Sequence, residues 1–207
     1  MNMNMNMNIS KSGTKSTIYD PDTDSVKHVD ETYDGKPFFR KNYGKPHPFL
    51  DYSKKAEIAI VKILMEHPHA NIVHYYDINA KYADMEQVDT HKSNPLYLYE
   101  NVMTHEDLNE IIEVMSKVKD FLQDLGIMYV DWKFDNLGKS VDGKYKLFDF
   151  DASGLIDLKT QQWKLKANPI YWSYKEAIKN GAKTPKEIDD WSFKYNIIEE
   201  GEKMLLP

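Results

Sequence analysis

Four polar residues in the middle of the chain have the types and the spacing that could hold a divalent metal ion. Asp131, Lys133 and Asn136 form the pattern D-x-K-x-x-N, and Asp149 follows Asn136 by thirteen residues. Between them lies Val141-Asp142-Gly143-Lys144, whose Asp-Gly pair predicts a β-hairpin. A hairpin returns to its own starting edge, so Asn136 and Asp149 should lie close together. A carboxylate and an amide oxygen can then share a Mg²⁺ ion bound to phosphate oxygens.

The same residues also allow an interpretation without chemistry. Asp131 and Asp135 could serve as turn or capping residues, because a short carboxylate readily accepts hydrogen bonds from nearby backbone N–H groups. Either aspartate taken alone fits this structural role as well as a catalytic one. The complete spaced set favours a shared site.

The composition excludes several other classes of protein. The 207 residues are 41% hydrophobic and 13% aromatic, which predicts a globular core in one large domain or two small lobes. The net charge of −6 gives the whole molecule no electrostatic attraction to nucleic acid or to an anionic membrane. The absence of cysteine excludes disulfides, thiolate metal sites and cysteine nucleophiles. Without an apolar run of about 18 residues, the chain is expected to be soluble, intracellular and cytoplasmic.

The elements that must position these residues follow from hydrophobic periodicity and turn signals. In the first half, short strands separated by turns predict an antiparallel meander over 17–19, 25–29 and 37–43. A helix is predicted over 51–66, with Asp51 or Ser53 as its N-cap. Two further strands are predicted on either side of a polar stretch: 72–78 and 96–102, around 79–94.

The second half is predicted to be mostly helical. Apolar residues at spacings of three and four define one face of a helix over 107–125, which Gly126 closes. The two strands of the hairpin are predicted over 137–139 and 145–150. Two later helices are predicted over 171–180 and 184–202, and Pro185 lies in the first turn of the second. The layout is α+β. A disordered Met-Asn tail, 1–8, precedes two predicted lobes, 9–103 and 104–207, which meet near Met103.

With these elements in place, the sequence resembles the protein-kinase superfamily. The stretch Asp131-Trp132-Lys133-Phe134-Asp135-Asn136 is similar to the catalytic loop of that family, and Asp149-Phe150-Asp151 is similar to its D-F-G motif at the same interval. The resemblance implies a bilobal fold, ATP and Mg²⁺ as cofactors, and a protein substrate. It implies that Asp131 accepts the proton of the substrate hydroxyl and that Lys133 offsets charge on the transferred phosphoryl group. Asn136 and Asp149 would then hold Mg²⁺.

The resemblance extends upstream to a nucleotide site. Lys41 at the end of a strand and Glu57 in the following helix match the lysine and glutamate that hold nucleotide phosphates in the family. Arg40 is the neighbouring rival for the place of the lysine, but alternation along a strand turns it to the opposite side. The glycine-rich loop of the family is reduced to residues 12–17, where Gly13 would bind ATP.

Two further stretches resemble the family at the adenine site and beneath the catalytic loop. The segment Leu98-Tyr99-Glu100-Asn101-Val102 is similar to the strand and hinge that hold adenine, which makes Glu100 and Val102 candidates for ATP binding through their backbone groups. Asp189, in Asp189-Asp190-Trp191-Ser192, matches the acid that supports the catalytic loop from a central helix. The resemblance thus covers about 9–198, nearly the whole chain.

The sequence departs from the family pattern at four places. One glycine stands where the phosphate loop usually has three, so backbone contacts to phosphate would be weaker. Tyr129-Val130 replaces the histidine and arginine before the catalytic aspartate, so activation by loop phosphorylation is not expected. Asp151 replaces the glycine of D-F-G and would either cap a turn, which is favoured, or bind a second Mg²⁺. The chain stops soon after Trp191-Ser192, which is similar to the minimal kinases of intracellular bacterial pathogens and large DNA viruses.

Three functions are compatible with these residues. The leading one is a minimal, monomeric kinase that transfers the γ-phosphate of ATP to a Ser or Thr, and less readily a Tyr, hydroxyl of a protein, for which a host protein is one candidate. The second is a non-catalytic, kinase-shaped interaction module, which the sparse glycine loop favours. The third is a small-molecule phosphotransferase. Lys133 argues against the third, because that branch of the family usually lacks a lysine there.

Overall fold

The computed structural model describes residues 15–45, 48–90 and 103–205. Gly13, Glu100 and Val102, the predicted tail over 1–8 and the predicted strand over 96–102 lie outside the described residues. The α+β prediction is confirmed, because a strand-rich first part of the chain precedes a largely helical second part.

A five-stranded mixed sheet dominates the first half. Its strands are β1, Ser16–Asp20; β2, Ser25–Val29; β3, Phe38–Asn42; β4, Tyr75–Ile78; and β5, Tyr82–Glu86. The order across the sheet is β2-β1-β3-β5-β4. The three strands predicted before residue 44 are therefore confirmed, and the strand predicted over 72–78 begins three residues later.

The prediction of an antiparallel meander is wrong. β1 and β2 pair antiparallel, but β3 lies beside β1 and runs parallel to it, with Tyr19 opposite Lys41. The physical reason is burial: β2 is largely exposed, whereas β1 begins with the fully buried Ser16 and takes the interior position. Ser16 tolerates burial because its hydroxyl accepts the N–H of Phe38 at 3.0 Å and donates to the carbonyl of Glu31.

Strand β5 lies within the stretch 79–94 that is predicted to be a polar connection, so that prediction is wrong. β5 pairs antiparallel with β3 and places Ala83 opposite Lys41 and Asp84 opposite Arg40. A charged residue in the middle of β5 hides the strand pattern in the sequence. Its burial depends on a partner from β3.

Arg40 is that partner, and it faces away from Lys41 as alternation predicts. Its Nε and Nη2 atoms donate to the two carboxylate oxygens of Asp84 at 2.6 Å each, and the hydroxyl of Tyr33 donates to Asp84 Oδ2 at 2.7 Å. The Asp84 side chain has no exposure. These charge-assisted hydrogen bonds replace the water that the carboxylate has lost.

Helix α1, Pro48–Glu66, packs against the sheet. It begins three residues before the predicted start, so Asp51 and Ser53 lie inside the helix and neither is the N-cap. A proline is favoured in the first helical turn because its missing N–H would have no partner there. Glu57 lies on the buried face of α1. That face continues three, four and seven residues later at Ile60, Val61 and Leu64.

The second half of the chain is largely helical, as predicted. Its elements are α2, His105–Asp124; β6, Ile127–Met128; β7, Leu137–Lys139; β8, Tyr145–Leu147; β9, Gly154–Ile156; β10, Trp163–Leu165; α3, Trp172–Lys179; α4, Pro185–Phe193; and α5, Glu200–Met204. A π-helical segment, Lys194–Glu199, joins α4 to α5. The helices predicted over 107–125 and 171–180 are confirmed. The helix predicted over 184–202 begins as predicted, with Pro185 in the first turn of α4, but the π-helical segment separates α4 from α5.

Helix α2 has the apolar face that its sequence spacing predicts. The residues buried along it are Leu108, Ile111, Met115, Val118 and Leu122. The helix begins with a capping box, in which the hydroxyl of Thr104 accepts the N–H of Asp107 and the Asp107 carboxylate accepts the N–H of Thr104. Gly126 ends it with φ +75°, a conformation that glycine adopts without strain. In the part of the chain that the structure describes, α2 included, no helix is long and apolar enough to cross a membrane.

The residues after Asp149 form a strand pair that the sequence analysis does not predict. β9 pairs with both β6 and β10 in a three-stranded antiparallel sheet. Gly154 is required in β9, because a Cβ atom there would lie 2.5 Å from the Ala167 nitrogen and from the Trp163 ring. Backbone hydrogen bonds to β6 and β10 order this segment.

One continuous apolar core joins the two halves of the chain. Residues from the sheet and α1 share it with residues from α2, β8 and α4, among them Phe39, Ile60, Ile111, Leu147 and Phe193. Close packing of this core fixes how the two halves face one another. The polar residues singled out in the sequence lie along that junction.

Candidate active site

Lys41 lies at the junction of the two halves and contacts three carboxylates. Its ammonium nitrogen is 2.7 Å from Oδ1 of Asp149, 3.3 Å from Oε1 of Glu57 and 3.6 Å from Oδ2 of Asp151. β3 supplies the lysine, α1 supplies the glutamate, and the turn after β8 supplies both aspartates. The predicted pair of Lys41 and Glu57 is therefore formed, and the structure brings Asp149 to it.

Burial and charge shift the pKa values of this cluster in different directions. Burial raises the pKa of Glu57 to about 7, against the opposing effect of Lys41. Burial, reinforced by the charge of Asp149, raises the pKa of Asp151 to about 6. Burial also acts upwards on Asp149, but the ion pair with Lys41 outweighs it and lowers the pKa of Asp149 below its usual value. One ammonium group thus faces three carboxylates, and the excess negative charge suits a bound cation.

Replacing Glu57 by glutamine is expected to change how stability depends on pH. The folded-state pKa of Glu57, about 7, lies above the ordinary value of 4.5, so the folded protein holds the extra proton. The stabilising contribution is complete below pH 4.5 and is lost as the pH rises to about 7. Over that range the wild type should lose up to about 1.4 kcal/mol of unfolding free energy per pH unit relative to Glu57→Gln.

Urea denaturation at several pH values measures this difference. Glu106→Gln, at an exposed glutamate at the start of α2, is the matched control and should follow the wild type. Parallel pH profiles for the wild type and Glu57→Gln would contradict the prediction.

The predicted catalytic loop brings Asp131, Lys133 and Asn136 together. Oδ2 of Asp131 lies 2.7 Å from Nζ of Lys133. The side-chain nitrogen of Asn136 donates to the backbone carbonyl of Asp131 at 3.0 Å and to its Oδ2 at 3.4 Å. Both contacts of the Asp131 carboxylate are to side chains, whereas a capping aspartate bonds to backbone N–H groups. Asp131 is 7% exposed, but Asp135 in the same loop is exposed.

The hairpin of β7 and β8 places Asn136 and Asp149 at the same end, as predicted. Leu137 pairs with Leu147, and the N–H of Phe148 donates to the carbonyl of Asn136 at 3.1 Å. Asp149, the next residue, has φ +61°. Aspartate adopts this left-handed conformation more readily than most residues, and in this turn its carboxylate meets Lys41.

The oxygen atoms of Asn136 and Asp149 fit a magnesium site. Because the amide nitrogen of Asn136 bonds to Asp131, the amide oxygen is the atom turned away from that contact. Together with the Asp149 carboxylate it forms a hard oxygen donor set of the kind that Mg²⁺ prefers. His, Cys, Asp and Glu side chains of the described residues form no group of three that could hold a metal ion. A Mg²⁺ ion here would therefore take further ligands from water and phosphate oxygens.

Asp189 hydrogen-bonds directly to the catalytic loop that it is predicted to support. Its Oδ1 accepts the N–H of Val130 at 2.9 Å and the indole N–H of Trp132 at 2.8 Å, and its Oδ2 accepts the side-chain nitrogen of Gln123 at 2.8 Å. Val130 has φ +66°. This left-handed conformation is strained for a β-branched residue, at a cost on the order of 1–3 kcal/mol. Asp189 holds the loop in it.

Sequence reasoning misses two partners at this site: Tyr171, which lies beside Asp151, and Trp132, which bonds to Asp189. The carboxylate of Asp151 lies 3.6 Å from the ammonium nitrogen of Lys41, and the nearby hydroxyl of Tyr171 lowers the pKa of Asp151 against the larger effect of burial. It therefore belongs to the ion cluster, and its binding of a second Mg²⁺ stays a prediction. No local signal points to Tyr171. The bond between Trp132 and Asp189 did have a signal in the sequence, because a buried indole N–H needs an acceptor.

Comparison with known proteins assigns this arrangement to a family. The family described as "Protein kinase domain" matches residues 25–200, which include every described residue of the candidate site. The chain belongs to this family. The kinase domain is similar to the serine/threonine-protein kinase STE20 of Debaryomyces hansenii, with 28% identity over 162 residues, and to that of Candida glabrata, with 29% over 162 residues. It is also similar to the probable serine/threonine-protein kinase RTK1 of Saccharomyces cerevisiae, with 25% identity over 182 residues.

These relatives are much longer than the kinase domain. The alignments cover 74%, 74% and 81% of this chain, but only 15%, 17% and 29% of the respective relatives. The chain thus spans less than a third of the length of the relatives it matches.

Proposed function

We propose that this kinase domain is an ATP- and Mg²⁺-dependent protein kinase that transfers the γ-phosphate of ATP to a Ser or Thr hydroxyl of a protein, and less readily to a Tyr hydroxyl. The observation that carries the proposal is the convergence of Lys41, Asp131, Asn136 and Asp149 from three separate segments. The serine/threonine-protein kinases among its relatives support the choice of acceptor.

Each residue has a role that follows from its contacts. Bound MgATP supplies the phosphoryl group together with a cation that offsets its charge. Lys41 would bind phosphate oxygens of the nucleotide, while Asn136 and Asp149 would hold the cation. Asp131 would orient the substrate hydroxyl and accept its proton on a carboxylate oxygen. Lys133, 2.7 Å from Asp131, would offset negative charge on the phosphoryl group.

Lys133 also favours a protein over a small molecule as the substrate, since the small-molecule kinases of this superfamily usually lack a lysine at that position. Generic protein substrates, with aminoglycosides and choline in parallel reactions, distinguish the two. A host protein is one candidate substrate. A monomeric state and a cytoplasmic location are further predictions.

Transfer of labelled phosphate from ATP tests the proposal directly. The purified wild type should label a protein substrate, or itself, only when Mg²⁺ is present. EDTA should stop the reaction and excess Mg²⁺ should restore it, because the metal ion offsets the phosphate charge and the carboxylate and amide oxygens that would hold it carry no positive charge. Intact mass spectrometry would identify phosphate on the protein itself. Absence of Mg²⁺-dependent labelling in every reaction would contradict the proposal.

A second candidate function is a non-catalytic interaction module, and one feature of the sheet favours it. Strand β1 ends at Asp20, one residue after Tyr19, the neighbour of Lys41, and the turn that follows it contains Asp22 and Asp24 but no glycine. Its carboxylates would repel phosphate rather than bind it. Thermal unfolding with MgATP discriminates. A ligand at 100 times its Kd should stabilise the protein by about 2.7 kcal/mol, whereas a module that binds no nucleotide should show no shift.

A further inference from the structure

Two buried tyrosine hydroxyl groups near the pair of Lys41 and Glu57 have no hydrogen-bond partner. They belong to Tyr43, just after β3, and to Tyr75 at the start of β4. Tyr75 is only 3% exposed. A buried hydroxyl without a partner costs about 1–3 kcal/mol. Two such groups in one place require a physical explanation.

The sheet directs both rings to the side that carries Lys41. Side chains at alternate positions of an extended chain share a face, so Tyr43 lies on the same face as Lys41. Tyr75 pairs in register with Met85, and Met85 pairs with Phe39, two residues before Lys41. Because residues directly opposite one another share a face, Tyr75 also lies on the side covered by α1.

Glu57 is the carboxylate that acts most strongly on both hydroxyls. The charge of Glu57 raises the pKa of both tyrosines and the charge of Lys41 lowers it, and no other charged group has a larger effect on either. The hydroxyl of Tyr43 approaches the Glu57 carboxylate without completing a hydrogen bond of ordinary geometry. Glu57 is 1% exposed, and its contact with Lys41 is 3.3 Å long. A carboxylate offers about four lone-pair positions, so Glu57 has the capacity to accept both hydroxyls.

We propose that Tyr43 and Tyr75 are positioning residues for Lys41: when nucleotide binds, their hydroxyls complete hydrogen bonds to Glu57 and hold its carboxylate against the ammonium group. In the structure Lys41 lies closer to Asp149 than to Glu57. Nucleotide phosphates would compete with Asp149 for Lys41, and Mg²⁺ would compete with Lys41 for Asp149. Glu57 must therefore orient Lys41 once Asp149 no longer does. This inference rests on the proposed kinase function and adds two residues to it.

Removal of the hydroxyl groups tests the inference. Tyr43→Phe and Tyr75→Phe should each raise the Kd and the KM for MgATP about fivefold, the effect of one hydrogen bond of about 1 kcal/mol. The kcat should change less than about twofold, because the bonds act on nucleotide binding in ground and transition states alike. Tyr145→Phe is the matched control, since the hydroxyl of Tyr145 is also buried without a partner but lies near acidic residues of α2. It should leave Kd, KM and kcat unchanged.

A second measurement shows whether the tyrosines act through Glu57. In a Glu57→Ala background, calorimetry with MgATP should give the same Kd with and without the tyrosine substitutions. Urea denaturation without nucleotide should show all Phe variants folded, because no completed hydrogen bond is removed. An unchanged Kd in the double Phe variant, or an undiminished effect in Glu57→Ala, would overturn the inference while leaving the kinase function intact. A wild type that binds no MgATP would overturn both.

Discussion

Replacing Asp131 by asparagine is expected to lower kcat by about 10²- to 10⁴-fold, the usual contribution of a general base. Asparagine has nearly the same shape as aspartate but cannot accept a proton from the substrate hydroxyl. The bond from Asn136 to the backbone carbonyl of residue 131 does not involve the altered group, so the loop should keep its conformation. The KM for ATP should therefore change little. Steady-state rates of labelled phosphate transfer at saturating MgATP measure the effect.

Asp135→Asn is the matched control for this prediction. It makes the same chemical change four residues away in the same loop, at an exposed side chain. This variant should keep wild-type kcat, so a loss confined to Asp131→Asn would show that the measured activity belongs to this protein and not to a contaminant. A kcat within threefold of wild type for Asp131→Asn would exclude Asp131 as the base.

Replacing Asp189 by alanine is expected to lower the free energy of unfolding by about 2–5 kcal/mol, because each buried donor left without an acceptor costs about 1–3 kcal/mol. Oδ1 of Asp189 accepts hydrogen bonds from the N–H of Val130 and the indole N–H of Trp132, and both of these residues are fully buried. Without that acceptor Val130 can leave its strained conformation, which would displace the loop that carries Asp131. The kcat should therefore fall together with stability. Urea denaturation and phosphate transfer measure the two effects.

Asp190→Ala provides the comparison. Its carboxylate is 39% exposed and pairs with the half-buried Lys119 and the exposed Lys186, so its loss should cost about 1 kcal/mol. Asp189→Asn keeps one oxygen acceptor for the loop. Its loss of unfolding free energy should therefore lie between those of Asp190→Ala and Asp189→Ala. Equal losses of unfolding free energy for Asp189→Ala and Asp190→Ala would contradict the prediction, because they would show that the hydrogen bonds of Asp189 to the loop add no stability.

Much of the candidate site could be predicted from sequence because short-range rules govern it. The turn at Asp142-Gly143 joins neighbouring strands, so Asn136 and Asp149 meet at the far end of the same hairpin. Alternation along β3 places Arg40 and Lys41 on opposite faces. The apolar spacing of α2 defines its buried side. Each of these results depends on residues close together in the chain, whose geometry the backbone itself restricts.

Other features were decided only by the tertiary structure. β1, and not β2, lies beside β3, because β1 has the buried side chains and its polar groups find partners. Asp84 hides β5 in the sequence, since its burial makes sense only with Arg40 opposite. The contact of Asp151 with Lys41 likewise joins segments far apart in the chain. A charged or hydroxyl group can leave water only when a partner from another segment replaces the lost hydration. That balance depends on the free energy of the whole folded chain, which no local pattern of residues contains.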